Sequence, residues 1–264
     1  MTNKVTVERL DKVMLVKINR PHRRNCVDAE TAQALHDAIC SYRDDAELNV
    51  LVVAGAGEQA FCSGADLSDV QALAKREGAF ESGPMGFTHV RDVGKPTIAA
   101  INGYCTAGGL EVACWCDFRI GDSKAQLGVL NRRWGVPLVD GGTQRLPRIV
   151  GLGNAMYMIH TGVLLDAWQA HQMGLLQEVV PAGKAVERAL ELAAAIAEFP
   201  RRGLRGDRQA TLDGLGRPLA EGLRIEVAAH ADTLGDPEMS EMLVAFAGGQ
   251  RPASIVKPPL PPKG

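Results

Sequence analysis

The sequence predicts an α/β fold in which strands alternate with helices as far as about residue 200 and only helices follow. Apolar runs typical of buried strands, such as residues 13–18 and 50–53, are separated by segments with helical periodicity. No strand pattern occurs later, and residues 203–247 have the pattern of helices. The 264 residues, 46% of them hydrophobic, are enough for a large globular unit. We therefore predict an α/β core over residues 1–200 and a helical C-terminal region over residues 201–264 with a proline-rich tail.

The first hundred residues hold the signals of four strands and two helices. Pro21 ends an opening hairpin because proline cannot continue a ladder, and Asp28 is a good N-cap for the helix that follows. Residues 77–90, which include Pro84 and several glycines, predict a mobile loop. In chain order the predicted elements are a hairpin over 5–18, a helix after Asp28, a strand over 50–53, a helix over 68–76 and a strand over 97–101.

The rest of the chain predicts shorter elements, separated mainly by glycine and proline. The tail, which includes Pro252, Pro258 and Pro261, is predicted to be extended and poorly ordered. The predicted elements are a helix from Gly108, strands over 118–120 and 125–128, an irregular segment over 131–137, helices over 141–147, 153–160 and 166–173, a strand over 178–180, and helices over 186–196 and 203–247.

Charge and hydrophobicity exclude several classes of function. The net charge of -2 gives no reason to expect nucleic acid or an acidic membrane as partner, and no apolar run reaches the roughly 18 residues of a membrane span. Because residues 1–12 lack an apolar signal segment, we expect a cytoplasmic protein. The six cysteines are then expected to be reduced and mostly buried. Cys114-Trp115-Cys116 lacks the spacing of a metal site, so we predict no metal.

The stretch over residues 98–117 holds the strongest chemical signal. An apolar strand leads through the turn Ala107-Gly108-Gly109 into a helix whose first turn carries Glu111. The N–H groups at a helix start lack intrahelical acceptors and favour negative charge. A second small-residue turn, Cys62-Ser63-Gly64, has the same context. Two N–H groups converging on one carbonyl oxygen would form an oxyanion hole; the alternative is that both turns are only tight packing corners.

Several motifs in a fixed order give the chain a resemblance to a known family. They are Asn19-Arg20-Pro21, Phe61-Cys62-Ser63-Gly64-Ala65-Asp66-Leu67, Ile101-Asn102-Gly103-Tyr104, Gly108-Gly109-Leu110-Glu111, Ala125-Gln126-Leu127-Gly128 and Gly141-Gly142-Thr143-Gln144-Arg145-Leu146. On these motifs, which extend over nearly the whole chain, the sequence resembles the enoyl-CoA hydratase/isomerase (crotonase) family. The resemblance implies a crotonase-like spiral of ββα units and acyl-CoA thioester substrates, with no cofactor beyond the CoA they carry. It also implies a C-terminal region used in homotrimer or dimer-of-trimers contacts.

The resemblance further implies the residues of the site. It places the oxyanion-hole N–H groups at Ser63 and Gly108 and makes Glu111 a catalytic acid/base; the alternative for Glu111 is a carboxylate that serves only the helix dipole. Arg24, or its neighbour Arg23, is the candidate for the CoA phosphates, although two arginines in a loop are also typical of a solvated surface. The residues implied to lie along the nucleotide and pantetheine path of CoA are Gly64, Ala65, Asp66 and Leu67.

The chain departs from the family pattern at the second catalytic glutamate, whose position falls on Asn131. Asparagine can hold a water but cannot transfer a proton at neutral pH. Asp140 lies near the point where isomerase branches of the family carry an aspartate. If Asp140 faces the pocket it could pass protons with Glu111, and otherwise it caps the following helix. Arg132 and Arg133 either reach the pocket and select an acyl group with its own carboxylate, or form an exposed or interface pair.

We therefore predict an enoyl-CoA hydratase/isomerase-like enzyme that stabilises a thioester enolate, with residues 77–90 at the acyl end of the substrate. Hydration is the default reaction. Double-bond isomerisation or other enolate chemistry, and a catalytically weakened CoA-thioester-binding protein, stay open because of Asn131. A dinucleotide site is a rival from another class, since residues 55–60 match G-x-G-x-x-A after a strand. No helix is predicted to begin inside that motif, which argues against this rival.

Overall fold

The computed structural model describes residues 3–231, 233, 235–251 and 255–263, and it has an α/β core with two sheets. The strands of the larger sheet follow the valine- and isoleucine-rich runs of the sequence. They are β1 Val5–Leu10, β2 Val13–Ile18, β3 Val50–Gly55, β5 Thr97–Ile101, β7 Phe118–Asp122 and β10 Glu178–Val180. The smaller sheet contains β4 Ala60–Cys62, β6 Tyr104–Thr106, β8 Gln126–Gly128 and β9 Leu164–Asp166.

The two sheets are built from successive strand pairs. The larger sheet has the order β1-β2-β3-β5-β7-β10, in which β1 and β2 form an antiparallel hairpin and all other neighbours are parallel. The smaller sheet has the order β4-β6-β8-β9, parallel apart from the pair of β8 and β9. Strands β3, β5 and β7 each pass directly into a short strand of the smaller sheet, and a helix follows each pair. This repetition is the spiral of ββα units that the family resemblance implies.

The helices are mostly short, and several begin at the turns that the sequence marks. In the core they are α1 Ala29–Asp44, α2 Val70–Ala74, α3 Ala79–Ser82, α4 Gly108–Trp115, α5 Gly142–Val150, α6 Leu152–Thr161, α7 Ala167–Gln172 and α8 Ala185–Ala197. They are followed by α9 Arg201–Gly214, α10 Leu219–Ala229 and α11 Pro237–Ala247. Asp28 caps α1 by accepting a hydrogen bond from the Thr31 N–H, as the sequence predicts.

The sequence analysis misses the shortest pieces of structure. It predicts no strand at β4, β6 or β9, because three residues are too few to show a period and distant partners decide the pairing. The helix predicted over residues 68–76 is only the 5-residue α2, and α3 lies inside the segment predicted as a mobile loop. The segment predicted to be irregular over residues 131–137 includes a 3-10 turn at Leu130–Trp134.

Apolar side chains cover both faces of the larger sheet. On one face Val52 of β3 and Ile98 of β5 pack in a cluster with Ala189 of α8. On the other face Val53 belongs to a larger cluster that reaches Phe61 at the start of the smaller sheet. Neighbouring residues of a strand point to opposite faces, so β3 is buried on both sides. This double burial fixes the strand ends from which the site is built.

The C-terminal part of the described chain is helical and strand-free beyond β10, in agreement with the predicted helical region. Its division from the core at residue 200 stays a prediction. Residues 255–263 have no regular secondary structure, and the Pro261 carbonyl accepts a hydrogen bond from Trp168 Nε1 at 3.2 Å. Pro252 lies outside the described residues. None of the helices that the structure describes combines the length and the apolar character needed to cross a membrane.

Candidate active site

A cleft of about 780 Å³ opens where β4 and β6 end and α4 begins. Its walls come from the loop after β2, the turn after β4, the first turn of α4 and the segment between β8 and α5. The structure brings together every predicted site residue except Gly64 in the lining of this cleft. These lining residues are Arg24, Ser63, Ala65, Asp66, Leu67, Gly108, Glu111, Asn131 and Asp140.

Glycines let the two predicted turns touch at the floor of the cleft. Gly64 has a φ of +102°, and a Cβ at this position would lie 3.1 Å from the Gly108 nitrogen. A Cβ at Gly109 would lie 2.1 Å from the Cys62 carbonyl oxygen, closer than a side chain permits. Glycine is therefore required at Gly109 for close approach and favoured at Gly64 by its backbone conformation. The packing brings the N–H groups of both turns to one place.

The hydrogen bonds of the turn after β4 decide which N–H group is free. The Ser63 N–H donates to the Arg24 carbonyl at 3.1 Å, and the Asp66 N–H donates to the Val27 carbonyl at 2.8 Å. Between them, the Ala65 N–H has no acceptor among the residues that the structure describes, and the same holds for the Gly108 N–H at the start of α4. The donor that the resemblance places at Ser63 is thus engaged within the protein, whereas Ala65 and Gly108 are available.

Glu111 is a buried carboxyl group held by backbone donors. Only 3% of the residue is exposed, and its Oε1 accepts hydrogen bonds from the Asp140 N–H at 2.9 Å and the Gly142 N–H at 2.7 Å. A Cβ at Gly142 would lie 2.8 Å from this oxygen, so glycine is needed there. These contacts orient the carboxyl group in the cleft, which is more than a role at the helix dipole requires.

Asp140 faces the cleft and does not cap α5. Its Oδ1 accepts hydrogen bonds from the Met85 N–H at 2.9 Å and from the Thr88 hydroxyl. The N-cap position of α5 is Gly141, and no side chain caps the helix there. Of the two alternatives for Asp140 that the sequence leaves open, the structure shows the first. Asp140 and Glu111 are therefore neighbours in one cleft.

Burial raises the pKa of both carboxyl groups, and the charge of Asp140 adds to the shift at Glu111. Burial, and then the charge of Asp140, raise the pKa of Glu111 to about 7, although the two backbone N–H groups act in the opposite direction. Burial also raises the pKa of Asp140, against the hydrogen bonds from Thr88 and Met85. Because burial opposes the ionisation of both groups and the charge of Asp140 further opposes that of Glu111, the pair holds a proton up to about pH 7. Such a pair can donate one proton and accept another.

Asn131 leaves one polar atom unused. Its Nδ2 donates to the Val136 carbonyl at 2.9 Å, but its buried Oδ1 has no partner in the described part of the chain. Arg132 and Arg133 follow it and are exposed, and neither lines the cleft. Arg133 donates instead to the Gly162 carbonyl at 2.9 Å. The hypothesis that one of these arginines selects an acyl carboxylate therefore finds no support in the structure.

On the side of the cleft where CoA is expected, Asp66 pairs with two arginines. Its carboxylate accepts hydrogen bonds from Arg20 at 3.0 Å and from Arg23 at 2.9 Å. Burial would raise the pKa of Asp66, but hydrogen bonds from Ser68 and the two arginines hold it below its usual range. Because Arg23 is engaged with Asp66, Arg24 is the arginine whose charge stays available to a ligand in the cleft.

Sequence reasoning overlooks the residues that support the carboxyl groups. Thr88 and Met85 lie in the predicted loop over residues 77–90, where nothing local indicates a contact with Asp140. Gly142, whose N–H donates to Glu111 Oε1, belongs to the motif Gly141-Gly142-Thr143. The sequence identifies this motif but does not show that it contacts Glu111. The available donor at Ala65 is one of the residues expected only to lie along CoA.

Comparisons with known proteins identify the family of the chain. A family model described as enoyl-CoA hydratase/isomerase matches residues 8–253. The chain belongs to the enoyl-CoA hydratase/isomerase family. It is 31% identical over 245 residues to the crotonyl-CoA hydratase of Syntrophomonas wolfei, covering 92% of this chain and 94% of that one. It is 32% identical over 247 residues to the short-chain-enoyl-CoA hydratase of Clostridium acetobutylicum, with 92% and 94% covered.

Solved structures of enoyl-CoA hydratase/isomerase family members share the fold. The enoyl-CoA hydratase from Bacillus anthracis superimposes with a TM-score of 0.88 at 31% identity, covering 95% of this chain and 98% of that one. The comparisons confirm the predicted family, the crotonase-like α/β fold and an acyl-CoA thioester enzyme of the hydratase/isomerase type. The dinucleotide-binding alternative is therefore wrong, because the motif over residues 55–60 belongs to β3 and the turn into β4.

Proposed function

We propose that the chain catalyses proton transfer on an enoyl-CoA thioester, with movement of a double bond between the β,γ and α,β positions as its main reaction. The observation that carries the proposal is that Glu111 and Asp140, two buried carboxyl groups with raised pKa values, line the same cleft. A double-bond shift removes a proton from one carbon and returns one to another, which suits two acid/base groups. Asn131, at the position of the second family glutamate, cannot transfer a proton.

In the proposed reaction the ionised carboxyl of the pair removes a proton from C2 of a β,γ-enoyl thioester. The electron pair of the broken C–H bond moves onto the thioester oxygen and forms a dienolate. The protonated carboxyl then delivers its proton to C4, and the dienolate electrons form the double bond between C2 and C3. After one turnover the carboxyl group that was ionised is protonated, and the one that was protonated is ionised. Transfer of one proton between the two groups restores the starting state. Because only protons move, the reaction needs no cofactor beyond the CoA of the substrate.

The dienolate oxygen needs hydrogen-bond donors, and we propose the N–H groups of Ala65 and Gly108. Both lack an acceptor among the described residues and both residues line the cleft. Gly64 holds the two turns in contact. A pre-oriented donor of this kind contributes on the order of 3 kcal/mol to transition-state stabilisation. Ser63 supports this arrangement through its hydrogen bond to the Arg24 carbonyl.

Hydration is the second candidate reaction, and the Oδ1 atom of Asn131 favours it. This buried oxygen has no partner in the described part of the chain and belongs to a residue that lines the cleft. A water bound there would satisfy it. Glu111 would then have to accept the water proton and also protonate C2 of the thioester. The two relatives named above are both hydratases.

A crossed pair of variants separates the two reactions. Asp140→Asn is expected to lower kcat for 3-enoyl-CoA isomerisation about 100-fold and crotonyl-CoA hydration less than about fivefold, because only isomerisation uses Asp140 as a proton carrier. Asn131→Glu is expected to raise hydration at least about tenfold by supplying the second carboxyl group. Removing the charge of Asp140 also lowers the pKa of Glu111, so the limb of the isomerisation pH profile near pH 7 moves to lower pH. Absorbance of the conjugated thioester measures both rates.

The same rates decide against the proposal if they fall the other way. Equal losses of isomerisation and hydration in Asp140→Asn would make Asp140 a general support of Glu111. An unchanged isomerisation rate in that variant would remove Asp140 from the chemistry and leave hydration as the better candidate. Arg148→Gln, an exposed substitution on α5, is the matched control and is expected to keep both rates.

For substrate binding, we propose that Arg24 contacts the CoA phosphates. Arg24 lines the cleft, and its guanidinium lies 5.2 Å from the centre of the Tyr104 ring. Ala65, Asp66 and Leu67 line the expected path of the nucleotide and pantetheine, while Gly64 shapes that path from behind. Nucleic acid and membrane partners stay unexpected, and cytoplasmic location stays a prediction from the sequence.

The C-terminal helices support the proposal of a homotrimer or a dimer of trimers. Along α10, Leu219, Leu223 and Val227 recur at helical spacing and are 79%, 53% and 73% exposed. On α11, Val244 and Phe246 are 74% and 60% exposed. Apolar faces of this size on helices without buried residues are typical of subunit contacts. Light scattering is expected to give three or six times the 28.2 kDa of one chain; a single-chain mass would contradict the proposal.

A further inference from the structure

Arg145 lies directly behind the two carboxyl groups, in the first turn of α5. Its Nη1 donates to the Asp140 carbonyl at 3.0 Å, and its Nη2 donates to the Thr88 carbonyl at 2.6 Å. Thr88 in turn donates its hydroxyl to Asp140 Oδ1. The three residues form a closed ring of hydrogen bonds that holds Asp140 by both its main chain and its side chain.

The backbone around this ring is shaped to admit its side chains. Gly141 has a φ of +92°, and a Cβ there would lie 2.1 Å from Arg145 Nη1. Gly83 has a φ of +86°, and a Cβ there would lie 2.2 Å from Thr88 Oγ1. Both positions therefore combine a conformation that favours glycine with space that only glycine leaves free. The ring is a specific arrangement, since it requires glycine in two separate turns, at Gly83 and Gly141.

Arg145 also brings a positive charge to the carboxyl pair. Its hydrogen bonds in the described part of the chain go to two carbonyl oxygens and not to a carboxylate, so its charge is not consumed by a direct ion pair. It lowers the pKa values of Glu111 and Asp140, against the dominant effect of burial. The other titratable or charged groups that face the pair are Arg76, His89, Cys62 and Cys114.

We propose that Arg145 is a positioning residue for the proton transfers of this enzyme. It fixes Asp140, and because the Asp140 N–H donates to Glu111 Oε1 at 2.9 Å, it fixes Glu111 as well. Its charge lets either carboxyl group ionise in a buried site at lower cost. The inference rests on the proposed function, since it requires Glu111 and Asp140 to be the proton carriers.

Three substitutions on α5 test this role. Arg145→Gln removes the charge and is expected to lower kcat for 3-enoyl-CoA isomerisation at least about tenfold and to leave KM for the thioester within about threefold. It is also expected to raise the pKa of Glu111, so the limb of the pH profile near pH 7 moves to higher pH. Arg145→Lys keeps the charge, but one ammonium group cannot reach both carbonyls as the planar guanidinium does. This variant is expected to lose kcat without the shift in pH profile. Arg148→Gln is the control, because Arg148 is exposed and its described hydrogen bond goes to the Gln144 carbonyl.

The outcomes separate this inference from the function on which it rests. If Asp140→Asn and Glu111→Gln lose activity while both Arg145 variants match Arg148→Gln in kcat and pH profile, only the role of Arg145 is overturned. If the two carboxyl variants keep full activity, the proposed function itself fails. A lower melting temperature for Arg145→Gln with wild-type kcat and pH profile would make Arg145 purely structural. If Arg145→Gln does not fold, Arg145→Lys decides, since wild-type kcat in that variant contradicts the proposal.

Discussion

Replacing Glu111 with glutamine is expected to lower kcat about 1000-fold, with KM for the thioester changed by less than about threefold. The amide oxygen of glutamine can still accept the N–H groups of Asp140 and Gly142, so the shape of the site is kept. The amide cannot take or give a proton, so both candidate reactions lose their carrier. Steady-state rates with crotonyl-CoA and with a 3-enoyl-CoA measure the effect. Glu187→Gln, at an exposed ion pair on α8, is the matched control.

Two outcomes would contradict the assigned role of Glu111. Activity within about tenfold of wild type in Glu111→Gln would mean that another group moves the proton. If wild type and variant both bind thioesters but neither changes any member of an acyl-CoA panel, the chain is a CoA-thioester-binding protein. The panel therefore decides between an enzyme and the catalytically weakened family member that Asn131 leaves open.

The same substitution is expected to alter how stability depends on pH. Burial and the charge of Asp140 raise the pKa of Glu111 from 4.5 to about 7. The unfolded chain releases this proton from about pH 4.5, whereas the folded chain keeps it up to about pH 7. The contribution of Glu111 to stability is therefore complete below pH 4.5 and is lost as pH rises through 7. The difference corresponds to at most about 3 kcal/mol. In urea unfolding, Glu111→Gln is therefore expected to gain on wild type as pH rises from 4.5 towards 8.

Sequence reasoning finds those parts of the fold that short-range patterns determine. Val13–Ile18 and Val50–Gly55 are apolar runs bounded by turns, so they are recognised as strands without knowledge of their partners. Asp28 is recognised as a cap because its partner, the Thr31 N–H, lies three residues away. Glu111 is found for the same reason, since the glycine turn and the beginning of α4 that mark it lie within a few residues of it in the sequence.

Long-range pairing determines what the sequence leaves undecided. The orientation of Asp140 depends on Met85 and Thr88, which lie 55 and 52 residues earlier in the chain. The choice between Ser63 and Ala65 depends on which of their N–H groups the loop after β2 engages. Gly64, whose φ is +102°, turns the chain between Ser63 and Ala65, so their N–H groups do not follow the regular alternation of a strand and the sequence alone does not show which of them faces the cleft.

Removing the N–H of Ala65 is expected to lower kcat on the order of 100-fold. This N–H alone is removed when Ala65 is replaced with its α-hydroxy analogue, which turns the Gly64–Ala65 amide into an ester and leaves the side chain unchanged. A donor to the enolate oxygen is worth on the order of 3 kcal/mol, which corresponds to a loss of about 100-fold. KM for the thioester is expected to change much less, since the donor acts mainly on the charge that develops in the transition state. Single-turnover rates with a 3-enoyl-CoA measure it.

The matching ester at Ser63 turns this experiment into a choice between two positions. Its N–H donates to the Arg24 carbonyl at 3.1 Å, so removing it is expected to cost about 1 kcal/mol of stability and less than about fivefold in kcat. A 100-fold loss at Ser63 with little effect at Ala65 would restore the donor that the family resemblance implies. A loss at Ala65 alone would mean that Ser63 fixes the turn and that the N–H two residues later faces the enolate. Both esters remove one N–H and keep the side chain, so the contrast between their kcat values compares the two donor positions alone.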